Sequence, residues 1–247
     1  MSIVLYTEEN NIGTITLNRP EVKNAVNMPL YEALHAALLQ ARDDANAKVI
    51  VLTGSGDAFC SGADISAFKG DGQTPIDYGD YLRNTYNRLI ELITGMEKPI
   101  IAYINGIAVG AGLSLALACD YRIAHPQARM GITFLNIGLV PDAGASYFMP
   151  RLVGMSKALE LALGDIIDAE EAKRIGLVND VGEPDALIER LLQLPTRAYT
   201  LMKQTFTKSY ESSLADVLAM EEVAQREAGQ TKEHLLAVQA FLGKSKG

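Results

Sequence analysis

Two segments of the chain run from an apolar β-branched stretch through a glycine-rich turn into the beginning of an apolar helix. The first, residues 49–65, reads Val-Ile-Val-Leu-Thr-Gly-Ser-Gly-Asp-Ala-Phe-Cys-Ser-Gly-Ala-Asp-Ile. The second, residues 100–113, places Gly106, Gly110 and Gly112 after Ile-Ile-Ala-Tyr-Ile. N–H groups at a helix start lack carbonyl partners and favour negative charge. Two such turns facing each other would aim two N–H groups at one oxygen as it becomes anionic. In such an oxyanion hole each donor is worth about 3 kcal/mol. Glycines in strand-to-helix turns also serve close packing, and from spacing alone that reading comes first.

A proton-transfer group would have to accompany these donors. No acidic residue occurs from 106 to 118 or from 131 to 141, and Asp142 follows directly after Pro141. Taken alone, Asp142 reads as the cap of a helix beginning near Ala143. Cys60 and Cys119 have neither metal nor disulfide spacing, and His35, His125 and His234 are scattered, so no metal site is expected. Cys60 reads as a small packing residue, and His125 and His234 as surface or interface groups.

The elements that must position these groups alternate. Residues 3–6 and 14–17 read as a hairpin around Asn10-Asn11, and Asn27 as the cap of a helix with Pro29 in its first turn. Leu30, Leu34, Leu38 and Ala41 fall on one face of that helix. Residues 49–52 read as a strand covered on both sides, followed by a loop over 53–62 and a helix from Ala63. The one linker-like stretch, 70–75, is short, and a helix follows through Leu82, Tyr86, Leu89, Ile90 and Ile93. Residues 100–104, 121–124 and 131–133 read as strands, 105–112 as a turn and 113–118 as a helix. Residues 141–144 read as a turn opening another helix. Asp168 and Glu171 have capping-box spacing before a short helix ended by Gly176. Beyond Pro184 only helices fit, over 185–192, 200–209, 214–227 and 231–241, the last with Leu235, Val238 and Leu242 on one face. Strands alternating with helices, then a helical tail, predict an α/β core with a helical appendage.

The chain has 247 residues, 48% of them hydrophobic and 21% charged, enough to bury a sizeable core. With 22 Lys+Arg against 30 Asp+Glu the net charge is −8, which disfavours nucleic acid or an anionic membrane as partner. The charge-free run between Lys98 and Asp120 has the length of a membrane span. Asn105-Gly106 interrupts it, so it reads as a buried strand, turn and helix. With no signal-peptide pattern at the start, the expected location is cytoplasmic.

Four segments, in order, carry a resemblance. They are Asn18-Arg-Pro-Glu-Val-Lys-Asn-Ala25, Phe59-Cys-Ser-Gly-Ala-Asp-Ile65, Asn105-Gly-Ile-Ala-Val-Gly-Ala-Gly112 and Gly138-Leu-Val-Pro-Asp-Ala-Gly144. Together they resemble the enoyl-CoA hydratase/isomerase (crotonase) superfamily, and the stretches 147–154 and 240–242 also fit. The resemblance implies a crotonase-like spiral of ββα units over 1–190. It also implies an α-helical C-terminal region over 191–247 that serves oligomerisation and covers the active site. Relatives assemble as trimers or hexamers, and this chain is shorter than they tend to be between 185 and 200.

The implied substrate is an acyl-CoA thioester, coenzyme A being part of the substrate and no separate cofactor being needed. By motif, the enolate-stabilising N–H groups fall on Ala63 and Ala111. The coenzyme arm would lie along Val22, Lys23, Ala25, Ala63, Asp64 and Ile65. Lys23 reads equally as a solvated lysine, and Asp64 equally as a carboxylate helping a helix dipole. The two glutamates that hydratases of this family use are replaced here by Ser114 and Phe134. In isomerase-like branches, including those resembling phenylacetate-pathway ring-epoxide isomerases, one carboxylate at the position of Asp142 moves the proton. An apolar pocket of Phe134, Leu135, Ile137 and Leu139 would raise its pKa toward the value needed. The resemblance thus favours an enoyl-CoA isomerase, with a hydratase or a non-catalytic acyl-CoA binder as alternatives. Tyr147 reads as either an acyl-pocket or a core aromatic, and Asp120 and Arg122 as structural or subunit contacts.

Overall fold

A computed structural model describes residues 2–65 and 77–244 of the chain. The linker-like stretch 70–75, and most of the helix expected from Ala63, lie outside the described residues.

The chain opens with an antiparallel hairpin, β1 (Val4–Glu9) and β2 (Ile12–Leu17), closed by Asn10 and Asn11 at φ 54° and 67°. Asparagine tolerates this left-handed backbone, which matches the twist of a two-residue hairpin. Helix α1 (Met28–Asp43) is capped by the Asn27 side chain, which accepts from the Leu30 N–H at 3.0 Å. Its buried face is Leu30, Leu34, Leu38 and Ala41, with Tyr31 and Ala37.

From there the chain winds as a spiral. Each turn gives one strand to each of two sheets before a helix or loop returns it. The pairs are β3 (Val49–Gly54) with β4 (Ala58–Cys60), β5 (Ile100–Ile104) with β6 (Ile107–Val109), and β7 (Tyr121–Ala124) with β8 (Arg129–Gly131). The first members join the hairpin, and β10 (Asp180–Val181) completes a six-stranded sheet in the order β1-β2-β3-β5-β7-β10. The second members form a four-stranded sheet, β4-β6-β8-β9, with β9 (Ile166–Asp168) antiparallel at its edge. In both sheets the successive spiral strands run parallel. Their apolar runs are buried on both faces, as parallel strands under helices require.

The short strands β4 and β6 lie inside the expected loop 53–62 and turn 105–112. Two- or three-residue pairings carry no periodicity, so composition conceals them. The strand expected over 131–133 sits two residues earlier, as β8. The helix expected through 82–93 is two helices, α2 (Tyr78–Asn84) and α3 (Tyr86–Thr94), broken at Thr85 with φ −128° and ψ −90°.

The charge-free run folds as β5, β6 and the wholly buried α4 (Ala111–Ala118). No helix among the described residues is long and apolar enough to cross a membrane. Next come α5 (Ala145–Val153), α6 (Met155–Leu161) and α7 (Ala169–Arg174). The Asp168 carboxylate caps α7 by accepting from the Glu171 N–H at 2.9 Å. The tail is helical throughout: α8 (Asp185–Leu192), α9 (Thr196–Ser209), α10 (Leu214–Ala228) and α11 (Lys232–Lys244). Leu235, Val238 and Leu242 of α11 stay exposed, so the apolar face read from the sequence is not buried within this chain.

Candidate active site

Two asparagines fix the first glycine turn. Asn24 is fully buried; its Oδ1 accepts from the Arg19 N–H at 2.8 Å, and its Nδ2 donates to the Ala58 carbonyl at 2.8 Å. Asn105 accepts from the Gly54 N–H at 3.2 Å and donates to the Gly56 carbonyl at 3.1 Å. Both side chains therefore hold the stretch that leads into β4 and on to Ala63.

Ala63 forms a parallel bridge with Val26. The Val26 N–H donates to the Gly62 carbonyl at 2.8 Å, and the Asp64 N–H donates to the Val26 carbonyl at 2.9 Å. Backbone groups alternate direction along an extended chain, so the Ala63 N–H points away from this bridge. It is thus freed by a bridge rather than by a helix start, which corrects the expectation of a helix from this residue.

Ala111 is the first residue of α4, where the opening helix bond runs from the Ser114 N–H to the Gly110 carbonyl at 3.1 Å. Its own N–H has no carbonyl partner within the helix. The two turns are in contact. A Cβ built on Gly62, whose φ is 91°, would lie 3.4 Å from the Ala111 nitrogen. A Cβ on Gly112 would fall 2.1 Å from the Cys60 carbonyl oxygen, so only glycine lets α4 approach β4 this closely.

Ala63 and Ala111 both line a cavity of about 380 Å³, a volume ordinary for a small-ligand site. Its wall is mostly apolar and includes Ile65, Leu82, Tyr86, Phe134, Ile137 and Leu139, and Asp142 is the carboxylate among the described residues that line it. Burial raises the Asp142 pKa from 3.8 to about 6. Its Oδ1 is buried with no hydrogen-bond partner among the described residues. Asp142 does not cap α5. That helix begins at Ala145 behind Gly144, and no side chain caps it. The turn before it places Ala143 at φ 48°, a left-handed conformation uncommon for alanine, and Gly144 at φ 81°.

The remaining expected residues fall into two groups. Ile65 and Phe134 line the cavity. Val22, Lys23, Ala25 and Asp64 flank the first turn outside the cavity wall. The Ser61 N–H donates to the Lys23 carbonyl at 2.9 Å, while the Lys23 ammonium is exposed near Asp57. The Asp64 carboxylate pairs with Arg19 at 3.2 Å, and the same guanidinium donates to the Ala25 carbonyl at 2.7 Å. Ser114 is fully buried behind the wall and donates to the Asp142 backbone carbonyl at 3.0 Å.

Leu135, expected in the pocket, is exposed. Residues 134–137 form a 3-10 helix, whose three-residue turn puts Phe134 and Ile137 on one side and Leu135 on another. Tyr147 also lies off this cavity, with the Arg151 guanidinium 3.6 Å above its ring. Tyr86 was legible only as a core position of a periodic helix, yet its ring lines the cavity. Cys60 is buried and its thiol is pushed up to about 12, consistent with packing. Asp120 meets Lys203 at 2.8 Å, and Arg122 is buried against the carbonyls of Cys119 and Leu177, so both make structural contacts within the chain. Among the described residues no cluster of His, Cys, Asp or Glu could hold a metal ion. A larger groove, about 510 Å³, lies between α9 and α10, and the carboxylate on its wall, Glu221, is exposed.

Comparison with known proteins agrees with this architecture. The family model described as enoyl-CoA hydratase/isomerase matches residues 7–247. A Rhodobacter capsulatus protein named "Probable enoyl-CoA hydratase" is 41% identical, over 98% of this chain and 95% of its own length. The Escherichia coli 1,2-epoxyphenylacetyl-CoA isomerase is 34% identical, over 99% of this chain and 97% of its own. The crystal structure of enoyl-CoA hydratase from Bacillus anthracis superposes with a TM-score of 0.90 at 32% identity, covering 98% of this chain and 96% of that one.

Proposed function

We propose, from the premise that the chain belongs to the enoyl-CoA hydratase/isomerase family and has its crotonase fold, that it is an enoyl-CoA isomerase working with one carboxylate. The observation that carries this reading is Asp142, half-buried in an apolar cavity with its pKa raised to about 6. The positions matching the paired glutamates of hydratases hold Ser114 and Phe134, which cannot activate water as carboxylates do.

In this reading the thioester oxygen sits between the Ala63 and Ala111 N–H groups. Asp142 takes a proton from C2 of a 3-enoyl thioester, and the C–H electron pair moves toward the carbonyl as a dienolate. The two donors stabilise the oxygen as its charge grows, which is where fixed dipoles contribute most. Asp142 then returns the same proton to C4, leaving a 2-enoyl thioester. A pKa near neutrality lets one group serve as base and then acid. The apolar wall keeps water from the dienolate. Val22, Lys23, Ala25, Asp64 and Ile65 would carry the coenzyme arm, Lys23 with its exposed ammonium facing the phosphates. Residues 191–247 would serve oligomerisation as a trimer or hexamer, a role supported by exposed apolar residues such as Phe206 and Phe241.

Hydration is the second reading, supported by the name of the 41% identical Rhodobacter relative. Separate incubations with a 3-enoyl-CoA and a 2-enoyl-CoA discriminate. The proposal expects the 3-enoyl substrate to become the 2-enoyl product with no uptake of water. Rapid hydration of the 2-enoyl substrate that persists in Asp142→Asn would overturn it. Tight thioester binding with neither isomerisation nor hydration of either substrate would point to a non-catalytic binder.

A further inference from the structure

The bridge that aims the Ala63 N–H is short. It consists of two backbone bonds, from the Val26 N–H to the Gly62 carbonyl at 2.8 Å and from the Asp64 N–H to the Val26 carbonyl at 2.9 Å. The Gly62 carbonyl and the Ala63 N–H belong to one trans peptide and point in opposite directions, so whatever holds the carbonyl directs the donor. A pairing this short holds poorly by itself. The Arg19 guanidinium spans it. One nitrogen, Nη1, donates to the Ala25 carbonyl at 2.7 Å and to the Asp64 carboxylate at 3.2 Å. It thus joins the residue before one bridge partner to the residue after the other. The Arg19 backbone is itself fixed, its N–H donating to Asn24 Oδ1 at 2.8 Å and its carbonyl accepting from the Asn24 N–H at 2.9 Å. Both charged side chains are largely withdrawn from water, Arg19 at 15% and Asp64 at 13% exposed.

Removing two charges from water offsets much of their attraction, so an ion pair in this position contributes little net stability. Its rigid, planar guanidinium contributes geometry instead. We propose that Arg19 is a positioning residue for the oxyanion donor. By joining Ala25 to Asp64 it fixes the Gly62–Ala63 peptide, and with it the angle at which the Ala63 N–H meets the thioester oxygen. This inference rests on the acyl-CoA reading, in which that N–H is one of two donors. Hydrogen bonds weaken steeply as the donor angle falls, so a small rotation of this peptide would cost rate while leaving the cavity intact. Arg19 is not among the described residues that line the cavity, so it acts through the peptide and not on the substrate.

The thioester carbonyl reports the donor directly, because hydrogen bonds to its oxygen lower its stretching frequency. Butyryl-CoA, isotopically labelled at that carbonyl carbon and unable to turn over, is the probe for infrared difference spectra of the saturated full chain. The parent is expected to lower the band below its position for the free thioester in buffer. Arg19→Met is expected to return the band at least halfway, and to lower kcat for a 3-enoyl-CoA about tenfold with KM within about twofold. Arg19→Lys keeps an ammonium that can donate to both oxygens, and is expected to restore most of the band shift and of the rate. Asp64→Asn keeps the shape and removes the charge. It is expected to move the band in the same direction as Arg19→Met, and it serves as the second variant should Arg19→Met not fold. A band that stays lowered in both variants, or a raised KM with kcat unchanged in Arg19→Met, overturns the Arg19 assignment and leaves the acyl-CoA reading standing. A parent band that stays at its buffer position, or a parent that does not bind the probe, overturns both.

Discussion

The Ser114 hydroxyl donates to the backbone carbonyl of Asp142 at 3.0 Å, tying the first turns of α4 to the turn that carries the carboxylate. One end of this link lies four residues from Gly110 and three from Ala111, the other at the acid itself. The first turn of α4 and the backbone of Asp142 are therefore tied to each other by this part-buried bond. Ser114→Ala is expected to cost about 1 kcal/mol of stability, read as a lower denaturation midpoint. It should reduce kcat more than it changes KM, since it loosens Asp142 without touching the coenzyme side.

The pH dependence of activity follows from burial of Asp142. As the proposed base it must be ionised, and its pKa is raised to about 6. The value of kcat/KM should therefore fall about tenfold per unit below that pH and level off above it. A profile flat from pH 5 to pH 8 would remove Asp142 as the base.

Stability should respond in the opposite sense. Between 3.8 and about 6 the folded protein holds a proton on Asp142 that the unfolded chain has released. The resulting stabilisation is fully present below the lower value and is lost as pH rises through the upper one. Asp142→Asn has no such dependence. It should be more stable than the parent at pH 8, by about 2 kcal/mol at most given the partial exposure of the group. The difference should shrink toward pH 4, as urea melts at the two pH values would show.

Ala111 offers a way to delete one donor with little damage to the fold. It is the first residue of α4, a position where proline is well tolerated because its N–H has no helical partner. Ala111→Pro is expected to lower kcat by about 10²–10³, with a melting temperature close to the parent's. Unchanged kcat would exclude this N–H from the chemistry.

Much of this arrangement was legible in the sequence where local chemistry dictates local structure. Asn27 before Pro29, Asp168 three residues before Glu171, and the doubly covered strands β3 and β5 each declare themselves through capping or apolar runs. The short strands β4, β6, β9 and β10 did not, since their pairing depends on partners far along the chain. Leu135 was misplaced because adjacency in sequence says nothing about which side of a 3-10 turn a residue takes. Ser114 resembled a substituted active-site position, and only the three-dimensional structure places its hydroxyl on the Asp142 carbonyl. Tyr86 fits an apolar helical period, and nothing in that pattern distinguishes a satisfied core phenol from one whose hydroxyl lacks a partner.

Isomerisation of a 3-enoyl-CoA by Asp142→Asn, compared with the parent at pH 8, tests the one-carboxylate mechanism most directly. The account predicts a rate reduced by about 10²–10⁴, with thioester affinity retained because the Ala63 and Ala111 donors are untouched. A variant that isomerises within a few-fold of the parent rate would contradict it.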